Sequence, residues 1–116
     1  MRPIDLEALQ HALDQYAEQD VYLHLETTNG AYASHLDATK ITAGAYIRNG
    51  LIRYTRGSVK GQGPYRIGLK LPLGWVYAEG LTHWETDSEG RLLTAGHDGD
   101  GKLAVALELS RTPFPT

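Results

Sequence analysis

Three groups of side chains have types and spacings suited to chemistry. The first is His24, Glu26 and His35. Strict alternation from Val21 to Thr27 puts His24 and Glu26 on one strand face and Val21, Leu23 and Leu25 on the other. Asn29-Gly30 follows, a pair that tolerates φ > 0 in a type I′ turn, and predicts a hairpin returning through residues 31–35. That register sets Glu26 opposite Ala33 and His24 opposite His35. Two imidazoles and a carboxylate at cross-strand distance are ligand types for a zinc or iron site with open positions. A divalent metal is the candidate cofactor of this reading, with Asp37 as a further ligand. The competing reading is a half-exposed polar face, since no helical pair of histidines supports the metal.

Glu79 is the second. Pro72-Leu73-Gly74 predicts a three-residue hairpin pairing Leu71 with Trp75, Leu69 with Tyr77 and Ile67 with Glu79. One carboxylate then sits in a row of Tyr65, Ile67, Leu69, Leu71, Trp75, Tyr77 and Leu81. Such a group must pair with a cation or take a raised pKa. The structural answer is a Glu–arginine pair joining two sheets; the candidate arginines are Arg48, Arg53, Arg56 and Arg66, with Arg48 or Arg53 the favoured partner. The functional answer is an acid or base in a cleft with Tyr46 and Tyr54.

The third group is the basic middle of the chain. Residues 38–78 contain no Asp or Glu but seven cations, Lys40, Arg48, Arg53, Arg56, Lys60, Arg66 and Lys70, while all 14 acids lie outside. The arginines interleave with tyrosines. Guanidinium forks suit carboxylates, phosphates and sugar acids, and phenol rings offer stacking area. The candidate ligand-binding residues are Arg48, Arg53, Tyr46, Tyr54, Arg66 and Glu79. Residues 57–63 read as a glycine-rich loop whose N–H groups suit an anion. The loop lacks the Lys-Ser/Thr ending of a P-loop and the spacing of a dinucleotide fingerprint. Alternatively, the cations face the acidic flanks, inside the fold or across a homo-oligomer interface. Asp98-Gly99-Asp100-Gly101 has Leu109 where a calcium loop needs glutamate, so it reads as a hairpin turn.

These groups need a scaffold. Asp5 is a helix N-cap, Ile4 and Leu9 suit a hydrophobic staple, and Leu6, Leu9, Leu13 and Tyr16 form one stripe; together they predict a helix over residues 5–18. A second Asn-Gly pair, Asn49-Gly50, predicts a hairpin between residues 41–48 and 51–56, with Ile47 opposite Ile52, Ala45 opposite Tyr54, Tyr46 opposite Arg53 and Arg48 opposite Leu51. Further strands are predicted over residues 65–71, 75–85, 91–97 and 102–109. The expected fold is mostly β (α+β): an antiparallel, coiled or barrel-like sheet of about eight short strands with one N-terminal helix.

The totals set limits. A chain of 116 residues fits a single domain, 1–116, with one core. The absence of cysteine removes disulfides, thiolate metal sites and a cysteine nucleophile. No apolar run approaches the ~20 residues of a membrane span, and Met1-Arg2-Pro3-Ile4-Asp5 leads into an amphipathic segment and not a secretory signal. A cytoplasmic protein is expected, with no membrane partner. A net charge of −3 argues against nucleic acid as a partner.

Several stretches resemble the YojF-like family of small bacterial proteins. They include Val21-Tyr22-Leu23-His24-Leu25-Glu26, Ala45-Tyr46-Ile47-Arg48-Asn49, Gly63-Pro64-Tyr65-Arg66, Gly74-Trp75-Val76-Tyr77-Ala78-Glu79-Gly80-Leu81 and Leu103-Ala104-Val105-Ala106-Leu107-Glu108-Leu109. The resemblance implies a small β-rich fold and no transferable activity or catalytic residues. It also implies genes that often neighbour a deacetylase related to the zinc-dependent N-acetylglucosaminyl deacetylases, one of which acts in low-molecular-weight thiol synthesis; that gives pathway context, not chemistry. The leading expectation is a non-enzymatic binding or accessory module for a small anionic metabolite or a partner protein. The alternatives are a small metal-dependent enzyme using His24, Glu26 and His35, and a dimeric structural protein with complementary charged faces.

Overall fold

The computed structural model describes residues 1–28 and 44–116. Its elements are β1 (Arg2–Pro3), α1 (Leu6–Asp14), β2 (Val21–Thr28), β3 (Gly44–Ile52), β4 (Arg56–Gly61), β5 (Tyr65–Leu71), β6 (Gly74–Leu81), β7 (His83–Thr86), β8 (Leu92–His97) and β9 (Leu103–Ser110). Among the described residues every pairing is antiparallel. The strands form a six-stranded sheet, ordered β1-β7-β8-β9-β2-β3, and a three-stranded sheet, β4-β5-β6. The mostly-β class with an N-terminal helix is therefore found. The barrel-like form is not, because the strands divide between two open sheets.

The helix begins where its cap predicts: the Asp5 carboxylate accepts from the Ala8 N–H at 3.1 Å. Leu9, Leu13 and Tyr16 are buried and pack in one core with Leu23, Leu107 and Leu109 of the larger sheet and Val59, Ile67, Leu69 and Leu81 of the smaller. The helix also closes the free edge of β4. The Gln10 amide donates to the Gly57 carbonyl at 2.8 Å and its oxygen accepts from the Val59 N–H at 3.0 Å. Both edge groups would otherwise need water. Gly57 is glycine because a β-carbon there would lie 2.7 Å from Leu13 Cγ.

Three expectations are corrected. Asn49-Gly50 makes no hairpin. β3 runs straight through it, and the pairing to β2 slips from Leu23–Gly50 to Leu25–Ile47. Asn49, at φ 59°, is the bulge residue. Asparagine tolerates this conformation, so the same dipeptide serves a bulge as readily as a turn. The registers built on that hairpin go with it. The Asn29-Gly30 hairpin lies outside the described residues.

The glycine-rich stretch 57–63 is mostly strand β4, not an anion-binding loop. Pro72-Leu73-Gly74 closes a hairpin one residue tighter than expected. Leu71 pairs with Gly74, Lys70 with Trp75, Leu69 with Val76 and Gly68 with Tyr77. Because side chains alternate, this single step moves Trp75, Tyr77 and Glu79 to the opposite face, away from the core. At Gly80, φ +83°, the strand bulges, and Leu81 returns to the interior.

Candidate functional site

The corrected register builds a continuous outer face on the three-stranded sheet. Arg56, Lys70 and Trp75 form one cross-strand row, and Ser58, Gly68 and Tyr77 the next. Lys60 pairs with Arg66 in the third, and Arg66 reaches Glu79 at 3.2 Å. Among the described residues, four cations thus share a face with one carboxylate. Trp75 and Tyr77, two residues apart on one strand, lie nearly parallel, with centroids 5.6 Å apart and planes inclined by 6°. Their faces draw the cations by ring quadrupole: Arg66 Cζ is 4.0 Å from the Tyr77 centroid, and Arg56 Cζ and Lys70 Nζ are 5.6 and 5.8 Å from that of Trp75. Gly68 leaves a notch between them. Over it opens a cavity of about 140 Å³, walled by the two rings and rimmed by Arg56, Lys60 and Arg66, with Ser58 beside it. Trp75 and Tyr77 remain 41% and 44% exposed, a large apolar outlay for a surface unless something covers it.

The sequence-derived candidates do not converge on one place. Only Arg66 and Glu79 belong to this face. Glu79 is neither buried nor paired with Arg48 or Arg53; its side chain is 69% exposed. Tyr54 is fully buried, and its hydroxyl donates to the Leu13 carbonyl. Burial pushes that phenol pKa well up, with Asp14 adding to it. Arg53 pairs on the surface with Asp20 at 3.1 Å.

Arg48 and Tyr46 lie with His24 and Glu26 on the larger sheet. His24 is buried under the edge of Tyr46 and the tilted ring of Phe114. Its Nε2 is 3.3 Å from Glu26 Oε1, and Arg48 approaches Nδ1 at 3.2 Å. A guanidinium can only donate, so Nδ1 accepts and Nε2 carries the proton toward Glu26. Both ring nitrogens are thereby engaged. His35 and Asp37 lie outside the described residues. Among the described residues no three His, Asp or Glu side chains are grouped to hold a metal. Across from His24, Glu108 is half-buried; burial raises its carboxyl pKa, while His24, Arg48 and Arg91 oppose that rise.

A family profile described as "Protein of unknown function (DUF1806)" matches residues 3–114. The chain belongs to the DUF1806 family. It is 51% identical over 114 residues to "Uncharacterized protein YojF" of Bacillus subtilis (strain 168), covering 98% of each chain. It also superposes on the crystal structure of Bacillus subtilis YojF with a TM-score of 0.80 at 44% identity, covering 99% of this chain and 97% of that one. The resemblance seen in the sequence is therefore a family relationship.

On this DUF1806 fold, sequence reasoning missed Arg56, Ser58, Lys60, Gly68, Lys70, Trp75 and Tyr77 as site residues. A signal was present. Arg56, Ser58 and Lys60 alternate with Gly57 and Val59, as Arg66, Gly68 and Lys70 do with Ile67 and Leu69. Period-two polarity on both strands points to one sheet face. Gly57 and Gly61 disguised the first strand as a loop.

Proposed function

We propose that this DUF1806 protein is a binding module for a small anionic metabolite, which it holds on the outer face of β4, β5 and β6. One observation carries the reading: Arg56, Lys60 and Arg66 rim an open cavity walled by a stacked Trp75–Tyr77 pair, with Lys70 on the same sheet face. Like charges on one small sheet repel, and Glu79 offsets only one of the four. A bound anion relieves that repulsion, and the rings add contact area without adding charge. The rest of the chain is acidic enough to bring the total to −3. That surround disfavours long polyanions.

Tryptophan emission provides the test. Trp84 is 4% exposed and Trp75 41%, so an anion at the face perturbs Trp75 selectively. Titration with small anions at low salt is expected to shift the emission saturably. Arg56→Ala with Lys60→Ala together should weaken binding by at least about tenfold and flatten its salt dependence. An unchanged affinity in the double variant overturns the proposal.

A further inference from the structure

Taking that binding face as given, we infer that its ligand is a phosphomonoester carried on a ring, either a sugar or an aromatic. Size sets the first limit. A cavity of about 140 Å³ is well below the ~300–1,000 Å³ of a site enclosing a drug-sized molecule. It takes one head group with the edge of its ring, and not a dinucleotide.

Charge sets the second. Of the three cations on the rim, Arg66 is already engaged by Glu79 at 3.2 Å. Arg56 and Lys60 remain, four residues apart on one face of β4, and both turn toward the same cavity. Neither pairs with an acid among the described residues, and two such positive charges match a group carrying about −1.5 to −2, which is a phosphomonoester near neutral pH. A carboxylate or a nucleic-acid phosphodiester brings one negative charge. The Arg56 fork can donate to two phosphoryl oxygens, and the Lys60 ammonium and Ser58 hydroxyl supply donors for the third.

Shape sets the third. The anion-binding rim and the Trp75 and Tyr77 walls belong to one cavity. A free phosphate would use the rim and leave the rings uncovered, whereas a phosphate on a ring uses both.

Three probes separate these elements: phenyl phosphate, inorganic phosphate and benzoate, titrated against the full chain at low, constant ionic strength. At about pH 7.5, phenyl phosphate is expected to bind at least about tenfold tighter than either of the others. The groups facing the site are Arg56, Lys60, Arg66, Lys70, Tyr77 and Glu79, with no histidine among them. The advantage over benzoate should therefore follow the ligand's own second ionisation, near pH 6, and shrink by about pH 5. Trp75→Leu, read by titration calorimetry because the fluorescent reporter is gone, should abolish the preference for phenyl phosphate over phosphate while phosphate binding persists. Benzoate binding as tightly as phenyl phosphate would overturn the phosphomonoester and leave anion binding standing. Equal affinity for phosphate and phenyl phosphate would overturn the ring. No response of Trp75 to any of the three would remove the binding face itself, and this inference with it.

Discussion

Gly68 and Tyr77 are paired across β5 and β6, and the phenol ring occupies the space that a side chain on Gly68 would fill. A β-carbon at Gly68 would lie 2.8 Å from Tyr77 Cε1, 3.1 Å from Cδ1 and 3.6 Å from Trp75 Cε3. The notch and the stacked rings thus depend on one missing side chain.

Gly68→Val should push Tyr77 off Trp75 and fill the cavity floor. The ring is on the surface and can swing, and valine suits a strand, so stability should change by no more than about 1 kcal/mol. Anion affinity should fall by at least about tenfold. Thermal melting and a Trp75 emission titration on the same sample check both halves.

Glu79→Gln tests the role of the one carboxylate on the face. Its pair with Arg66 is solvent-exposed, with side chains 69% and 50% accessible, and such pairs contribute under about 1 kcal/mol. The melting temperature is expected to stay within a degree or two. Anion binding should strengthen, because Arg66 is released to the cavity. A clear loss of stability would restore the structural role that the sequence suggested for Glu79.

Asn49 joins the β3 bulge to the C-terminal segment. Its Nδ2 donates to the Phe114 carbonyl at 2.9 Å, and its Oδ1 accepts from the Phe114 N–H at 2.7 Å. Asn49→Ala removes two hydrogen bonds of about 1 kcal/mol each and leaves a β-carbon at φ 59°. A loss of about 2–4 kcal/mol in urea unfolding is expected. Asn49→Gly relieves the backbone and should lose only the hydrogen-bond part. Equal losses in the two variants would show that the backbone conformation carries no cost.

Glu108 supplies a pH dependence with a definite sign. Burial raises its folded-state pKa above the ordinary carboxylate value, even though Arg48, Arg91 and His24 pull the other way. The folded state then holds the proton more tightly than the unfolded state. This group therefore favours folding below the unfolded pKa, and that contribution is lost as pH rises through the folded one. Glu108→Gln keeps the shape and removes the charge. Its stability relative to the parent should be highest at neutral pH and decline toward pH 4. The opposite trend would mean that the cationic neighbours dominate.

The sequence alone determined the helix start at the Asp5 cap and the buried positions Leu9, Leu13 and Tyr16, because an N-cap and a 3.6-residue period are local; the helix itself stops at Asp14, short of the expected residue 18, and Leu6 of the expected stripe is exposed. It determined the mostly-β, antiparallel character and the concentration of cations in the middle of the chain. Its candidate metal and ligand residues could be named but not assembled: His24 and Glu26 came together, His35 lies outside the described residues, and Arg48, Arg53, Tyr54 and Glu79 went to four different surroundings. Two decisions belonged to the tertiary structure. Asn49-Gly50 is permissive for a turn and for a bulge, and only pairing with β2 chose the bulge. Pro72-Leu73-Gly74 allows loops of two or three residues, and the choice turns on which strand face meets the core. Ile67, Leu69 and Ala78 are buried together beneath the helix and the larger sheet, so Trp75, Tyr77 and Glu79 were driven outward onto the basic side. A one-residue register step costs little in local conformation, yet it exchanges every side chain between faces, and that exchange made the basic aromatic face.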